Sequence, residues 1–235
     1  MAIPTYETKV ARIVQETSNT KTLYIVVPDE FTFRPGQFVM AIFELNGKEE
    51  RRAYSISTSP DEKGEIGLTI KLEPNGKGGS IRLHEYKKGE PIKVQGPFGM
   101  FVPEDKVTHA VMIAAGSGIA PFRAMWRYRL AHKLGHTDVL FSAPNMDSLI
   151  FYDEMSKIMR EHEDFHAYFT ITRECPGDWC YGKERLTLDR IQQECKDYQD
   201  STFYLCGSPQ FCEAMKQSLL DDNVPKERVK MEKYW

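Results

Sequence analysis

No run of about eighteen apolar residues, the length a helix needs to cross a bilayer, occurs anywhere in the 235-residue chain. An excess of basic charge is also missing. The formal net charge is -3, whereas neutralising a phosphate backbone needs a basic face, so nucleic acid is not an expected partner. The opening residues, Met1-Ala2-Ile3-Pro4-Thr5-Tyr6-Glu7, carry no basic patch followed by an apolar stretch. No secretory signal is read there, and a cytoplasmic location is expected. The cysteines (Cys175, Cys180, Cys195, Cys206 and Cys212) are odd in number and include no CxxC pair, which weakens both a disulfide framework and a zinc site. Cys175 and Cys180 match the opening of a plant-type iron-sulfur run, but the CxxC that should follow is missing. Free, reduced thiols are the reading, and the six histidines are read as surface or core residues with no metal expected.

What is present divides into two halves of different periodicity. Up to about Val102 the chain reads as short strands, Thr22 to Val27, Phe38 to Leu45, Arg52 to Ser57, Ile66 to Leu72 and Pro91 to Val94, separated by Gly, Pro, Asn and Asp. Ile66, Leu68, Ile70 and Leu72 recur at every second residue, the pattern of a strand with one face on a core. Closely spaced strands of this kind predict a small antiparallel β-barrel. After about Val107, apolar strands at His109 to Ala114, Asp138 to Ser142, His166 to Thr172 and Thr202 to Cys206 alternate with helical segments at Pro121 to Leu134, Leu149 to Glu161, Leu188 to Lys196 and Pro209 to Leu220. Parallel strands need crossovers and helices supply them, so this half is expected to be a doubly wound α/β parallel sheet. Two domains follow, residues 1–103 and 104–235.

In such a sheet ligands bind beyond the carboxyl ends of the strands. Ala115-Gly116-Ser117-Gly118-Ile119-Ala120-Pro121 lies at one of those ends. Gly116 and Gly118 would let the backbone approach a pyrophosphate, and Pro121 suits a first helical turn whose free amides face an anion. Tight packing alone would also explain the glycines. Cys206-Gly207-Ser208-Pro209 repeats the construction, with Ser208 as N-cap and Pro209 at the first helical position. Cys206 sits where a small, polarizable side chain could border a nicotinamide ring; filling core space is the more ordinary use of a free Cys. Arg173 offers either a partner for an adenosine 2'-phosphate or a solvated surface charge.

In the first half, Arg52 and Tyr54 should share one strand face and Ser55 the other, while Gly78-Gly79-Ser80 precedes a short helical run as a phosphate nest or a plain turn. With these residues in place, the chain resembles the ferredoxin-NADP reductase-like flavoproteins, an FAD-binding barrel followed by an NAD(P)-binding domain. The resemblance rests on Arg52-x-Tyr54-Ser55, Gly78-Gly79-Ser80, Gly96-Pro97-Phe98-Gly99, Gly116-x-Gly118-x-x-Pro121 and Cys206-Gly207-x-Pro209, in that order. It implies that Arg52 holds the FAD pyrophosphate with Gly78, Gly79 and Ser80, that Tyr54 packs along the isoalloxazine, and that Ser55 bonds near the hydride-accepting nitrogen. It further implies that Gly116 to Pro121, with Gly207 and Pro209, hold NADPH or NADH beside Cys206. The terminal Trp235 would cover the flavin or cap the last strand.

The resemblance also implies an activity: hydride passes from NADPH or NADH to bound FAD, and electrons leave to an external acceptor such as a ferredoxin, flavodoxin or partner oxygenase, expected to be a small redox protein. Some relatives fuse a plant-type ferredoxin domain, for which this chain has no cysteine set, so the acceptor is expected to be separate. The cluster-binding cysteine motif of dihydroorotate dehydrogenase electron-transfer subunits is likewise missing. Ser142-Ala143-Pro144-Asn145 lacks an arginine that some NADPH-using relatives carry, leaving Arg173, Lys183 and Arg185 for the phosphate. An NAD(P)H:flavin reductase and a flavin-bearing relay subunit of a larger complex remain alternative readings.

Overall fold

The asparagine-glycine pair Asn46-Gly47 turns the chain with both residues at positive φ, 54° and 73°, the geometry that suits the twist of a two-residue hairpin. It joins β3 (Phe38–Leu45) to β4 (Lys48–Ser55) in the computed structural model, which describes residues 3–234. With β1 (Thr5–Thr17), β2 (Thr20–Val26), β5 (Glu65–Lys71) and β6 (Pro91–Phe98) they form one antiparallel sheet in the order β4-β3-β6-β1-β2-β5. Its outermost strands then meet. Ile56 bridges Leu68 in antiparallel fashion, and the Ser57 N–H donates to the Gly67 carbonyl at 2.8 Å. The sheet thus closes into the expected barrel, around a core that includes Leu23, Val39, Ile56, Ile66, Leu68 and Val94.

Ile66, Leu68 and Ile70 turn inward as their spacing predicts, but the other face of β5 is covered as well. Thr69 is buried there, its hydroxyl 2.9 Å from both Ser57 Oγ and Thr22 Oγ1. Buried hydroxyls persist when each finds a partner, and this row satisfies itself.

The chain divides into two compact units, one running to Val102 and adding Ala120–Tyr128, the other made of Pro103–Ile119 and Arg129 onward. The second carries β7 (His109–Ala115), β8 (His136–Asn145), β9 (Phe165–Glu174), β10 (Thr202–Gly207) and β11 (Val229–Lys233), all parallel, in the order β11-β10-β7-β8-β9. Following α1 (Gly79–His84) of the barrel half, the helices are α2 (Ala120–Ala131), α3 (Tyr152–Glu161), α4 (Leu188–Glu194) and α5 (Pro209–Asp221). The chain winds outward from β7 through β8 to β9, then returns to β10 on the opposite side of β7. That reversal is the switch point of a doubly wound sheet.

Two strands have no counterpart in the sequence reading, β1 and β11. Boundaries also move. The expected strand Arg52 to Ser57 begins at Lys48, immediately after the hairpin. The expected helix from Leu149 begins at Tyr152, because a 3-10 turn over Met146–Ser148 and a left-handed Phe151 (φ 63°) precede it. Helix α2 stops at Ala131, and Lys133 and Gly135 at positive φ turn the chain into β8.

The histidines at His132/His136 and His162/His166 are spaced HxxxH, a separation that shares one face only when both residues lie in a single continuous helix or strand. Each pair instead runs from a helix end into a strand. Among the described residues no group of three or more His, Cys, Asp or Glu could hold a metal ion.

Candidate functional site

Strand β4 places Arg52 opposite Ala41, Tyr54 opposite Val39 and Ser55 opposite Phe38. Arg52 and Tyr54 are half-buried and alternate with exposed Arg51 and Ala53, and Ser55 is buried. The predicted alternation therefore holds along the strand. Arg52 Nη1 donates to the Glu50 carboxylate at 2.6 Å and to the Arg51 carbonyl at 2.8 Å. A guanidinium has five N–H donors in a fork, so capacity for an oxyanion remains after these contacts. Tyr54 packs against the barrel core, and its burial pushes the phenol up to about 12, so the hydroxyl stays protonated at neutral pH.

Helix α1 brings its first residue to the same place. A side chain on Gly79 would put Cβ 3.3 Å from Arg52 Nε and 3.4 Å from the Phe43 ring; with only hydrogen there, the helix start lies directly against the guanidinium. Gly78 precedes it at φ 85°, and Ser80 Oγ accepts the Glu73 N–H at 3.0 Å. The structure thus gathers Arg52, Gly78 and Gly79 as a cradle of donors beside an aromatic ring at Tyr54. These groups fit a pyrophosphate joined to a flat ring system.

At the switch point of the second unit, β7 leads into a 3-10 turn, Gly116–Ile119, and then α2, with Pro121 second in the helix rather than first. Gly116 has φ 56° and open space where a Cβ would stand. Gly118 is the opposite case: a Cβ there would lie 2.3 Å from the Cys206 carbonyl oxygen and 2.7 Å from the Gly207 nitrogen. Gly118 therefore lets the two loops touch backbone to backbone, and Gly116 lets the chain bend above them. Ser208 caps α5, its Oγ accepting the Phe211 N–H at 3.3 Å, with Pro209 in the first turn.

Cys206 is fully buried, consistent with the core-filling alternative, and burial together with the neighbouring Glu232 carboxylate raises its thiol well above the ordinary range. It stays a thiol and is no nucleophile. Glu232 and Tyr234 are additions the sequence reading did not single out as site residues. Glu232 pairs with Cys206 across β10 and β11, and the Tyr234 N–H donates to the Gly207 carbonyl at 2.8 Å. A parallel partner strand can only be found by knowing the strand order. Trp235 lies outside the described residues.

Beyond the ends of β8 and β9, an open groove of about 610 Å³ is lined by Asn145, Asp147, Arg173, Cys175 and their neighbours. Arg173 is exposed on it, whereas the exposed Lys183 and Arg185 are not among its lining residues.

Residues 7–102 match the oxidoreductase FAD-binding domain family and residues 112–217 the oxidoreductase NAD-binding domain family. The chain is 28% identical over 217 residues to the glycine betaine monooxygenase reductase subunit of Pseudomonas aeruginosa, covering 88% of this chain and 58% of that one. It is 26% identical over 213 residues to ferredoxin–NADP reductase B of Sorangium cellulosum, covering 87% and 86%. The chain thus spans about three fifths of the length of the monooxygenase reductase relatives it matches. Among solved structures, the FAD/NAD-binding domain of nitric oxide dioxygenase from Vibrio cholerae superposes with a TM-score of 0.87 at 21% identity, over 97% of this chain and 98% of that one. The Neisseria gonorrhoeae ferredoxin NADP+ reductase with bound FAD and NADP gives 0.85 at 21% identity, over 98% and 99%. With the FAD-binding match ahead of the NAD-binding match on a barrel and a doubly wound sheet, the chain belongs to the ferredoxin-NADP reductase-like flavoproteins.

Proposed function

We propose that the chain is a reductase taking hydride from NADPH or NADH onto bound FAD and passing electrons to an external acceptor, a ferredoxin, a flavodoxin or a partner oxygenase. Residues 1–103 serve as the FAD-binding domain and 104–235 as the NAD(P)-binding domain. The observation that carries this reading is the backbone contact of Gly118 with Cys206–Gly207 at the switch point, in a chain whose other half matches an FAD-binding domain. Such crevices take dinucleotides because the helix start offers free amides where two loops part.

FAD would supply acceptance of two electrons as hydride and their release one at a time. The chain's own residues do the holding. Arg52 with Gly78, Gly79 and Ser80 takes the pyrophosphate, and Tyr54 presents a ring to the flat face, its phenol pushed up to about 12 by burial. Ser55, buried at the end of β4, donates toward the ring edge. Gly116, Gly118, Gly207 and Pro209 of the second unit shape the nucleotide site, and Pro121, just beyond the Gly116–Ile119 turn in chain order, is assigned to it as well. Cys206 supplies a small, uncharged wall next to the nicotinamide, and Arg173 meets the adenosine end. Orientation at near-contact distance accounts for the rate, since no proton need be added or removed by a side chain during hydride transfer. Trp235 is assigned the cover of the flavin face. A cytoplasmic location is part of the same proposal; no helix among the described residues is long and apolar enough to cross a membrane.

The test is a visible spectrum of the purified protein followed by anaerobic titration with NADH and NADPH separately. Bleaching of a flavin spectrum by one equivalent of either nucleotide supports the reading and names the donor. A colourless protein that takes up no added FAD overturns it.

A further inference from the structure

The five cysteines fall into two groups. Cys195, Cys206 and Cys212 are buried, whereas Cys180 is exposed and Cys175 half-exposed. Burial pushes the thiols of Cys206 and Cys212 up, the latter to about 11, so these groups resist both deprotonation and reagents. The two accessible thiols are not scattered. They stand on either side of a single β-turn, Pro176-Gly177-Asp178-Trp179, closed by the Trp179 N–H donating to the Pro176 carbonyl at 3.2 Å.

A closed turn holds its first and last residues side by side, and the residues flanking it leave from adjacent points. A turn of this kind brings the Cα atoms of its first and last residues within about 7 Å. A disulfide requires about 4.4–6.8 Å. The outgoing arm is itself fastened: Trp179 Nε1 donates to the Gly182 carbonyl at 3.0 Å, and Gly182, where the chain has turned to run alongside β9, bridges Thr170 in parallel fashion. The incoming arm is the end of β9. Both thiols are thus carried on anchored backbone, with a turn at the tip that meets no side chain at Gly177.

We propose that Cys175 and Cys180 are a redox-sensitive thiol pair that closes into a disulfide across the Pro176–Trp179 turn, on the wall of the groove that holds Arg173. With a small-molecule disulfide as oxidant the step balances. The thiolate of one cysteine attacks a sulfur of the oxidant, forming a mixed disulfide and expelling one small thiolate. The second cysteine, as thiolate, attacks its neighbour's sulfur, forming the Cys175–Cys180 bond and expelling the other. Two protein thiols are oxidised, one small disulfide is reduced to two small thiols, and the two protein protons end on them. Because Cys175 and Arg173 line the same groove, closure fixes that wall; this coupling rests on the reading of the groove as the nucleotide's adenosine end.

The experiment uses the flavin-loaded full chain, first reduced with dithiothreitol and freed of it, then exposed to oxidised glutathione and alkylated with N-ethylmaleimide before trypsin digestion. Cleavage after Arg173 and Lys183 puts both cysteines in one peptide, Glu174–Lys183. The expected result is that this peptide loses both alkylation sites, is lighter than its reduced form by two hydrogens, carries no glutathione, and regains both sites with dithiothreitol. Cys180→Ser should instead trap glutathione on Cys175. A wild-type peptide that stays fully alkylated, or that carries glutathione on both cysteines, overturns the pair. The coupling has its own readout: a change of at least threefold in the nucleotide KM on oxidation, absent in Cys180→Ser. A mapped disulfide with unchanged KM overturns the coupling and shows that the groove reading, not the chemistry of the pair, is at fault.

Discussion

Gly116 and Gly118 look alike in sequence and do opposite things. Gly116 needs its left-handed backbone, φ 56°, and has open space around it; Gly118 needs the space, since any Cβ would collide with the Cys206 carbonyl. Alanine should destabilise both, by roughly 1–2 kcal/mol at Gly116 from the left-handed conformation and by about 1–3 kcal/mol at Gly118 from overpacking. Asparagine tells them apart. It tolerates the left-handed region, so Gly116→Asn should recover part of the loss, whereas Gly118→Asn should be worse than alanine. Urea unfolding of the four variants checks this, and the same order at both sites would mean one of the two assignments is wrong. At Arg173 the issue is the donor. A hydrogen bond to a charged group is worth ~1.5–3 kcal/mol, so Arg173→Ala should raise the KM for NADPH about tenfold while leaving that for NADH within about twofold. Equal effects on both nucleotides would remove Arg173 from the 2'-phosphate.

Among the elements, the amino edge of the parallel sheet carries a charged knot remote in chain order from the loops of the site. Asp138 on β8 is buried, with His136 Nε2 at 3.1 Å and His166 Nδ1 of β9 at 3.5 Å, and its second oxygen accepts the Lys196 N–H at 3.2 Å just beyond α4. Glu194 of α4 faces His166 at 3.9 Å, and Cys195, buried beside Asp138, is pushed up as a thiol. Burial alone would raise Asp138, but the hydrogen bonds from the two histidines outweigh it and hold the carboxyl below its usual range; His166 is raised, chiefly by its bond to Asp138. A depressed carboxylate stabilises the fold above its unfolded value and loses this as pH falls through the folded one. A raised histidine stabilises the fold below about 6.5, its unfolded value, and loses this as pH rises through the folded one. The pair is therefore fully effective near pH 6. The melting-temperature advantage of the wild type over His166→Gln should be largest there and should shrink by pH 9; a gap independent of pH would show that His166 acts through packing alone.

The elements also show what was legible in the sequence. Strands with one or both faces in a core, such as β3 and β7, are announced by runs of apolar residues, and β3 coincides with its expected limits. Strand β1 buries only Val10 along its thirteen residues, and β11 only Val229 among its five. Without a buried face there is no periodicity to read. The same limit hid Glu232, whose relation to Cys206 depends on which strands are neighbours. The loops were legible because glycine, serine and proline mark turns by their backbone chemistry, independently of the pairing of distant strands.

At the scale of the whole molecule, the two compact units carry one proposed cofactor site each, the Arg52 cradle in the barrel and the Gly118–Cys206 contact in the sheet. If each unit binds through its own residues, loss of one cofactor should leave the other site intact. Arg52→Ala tests this, because Arg52 is half-buried, its recorded salt bridge is to Glu50 two residues away on the same strand, and its removal leaves no buried charge behind. The variant should lose most of its FAD on gel filtration, while its apo form melts within a few degrees of wild-type apo protein, as expected for a partly exposed side chain. Calorimetry should still find the preferred nucleotide binding the apo variant with the affinity of apo wild type, although no flavin remains to be bleached. Equal FAD occupancy in variant and wild type would remove Arg52 from the pyrophosphate, and loss of nucleotide affinity together with FAD would show that the two sites are built as one.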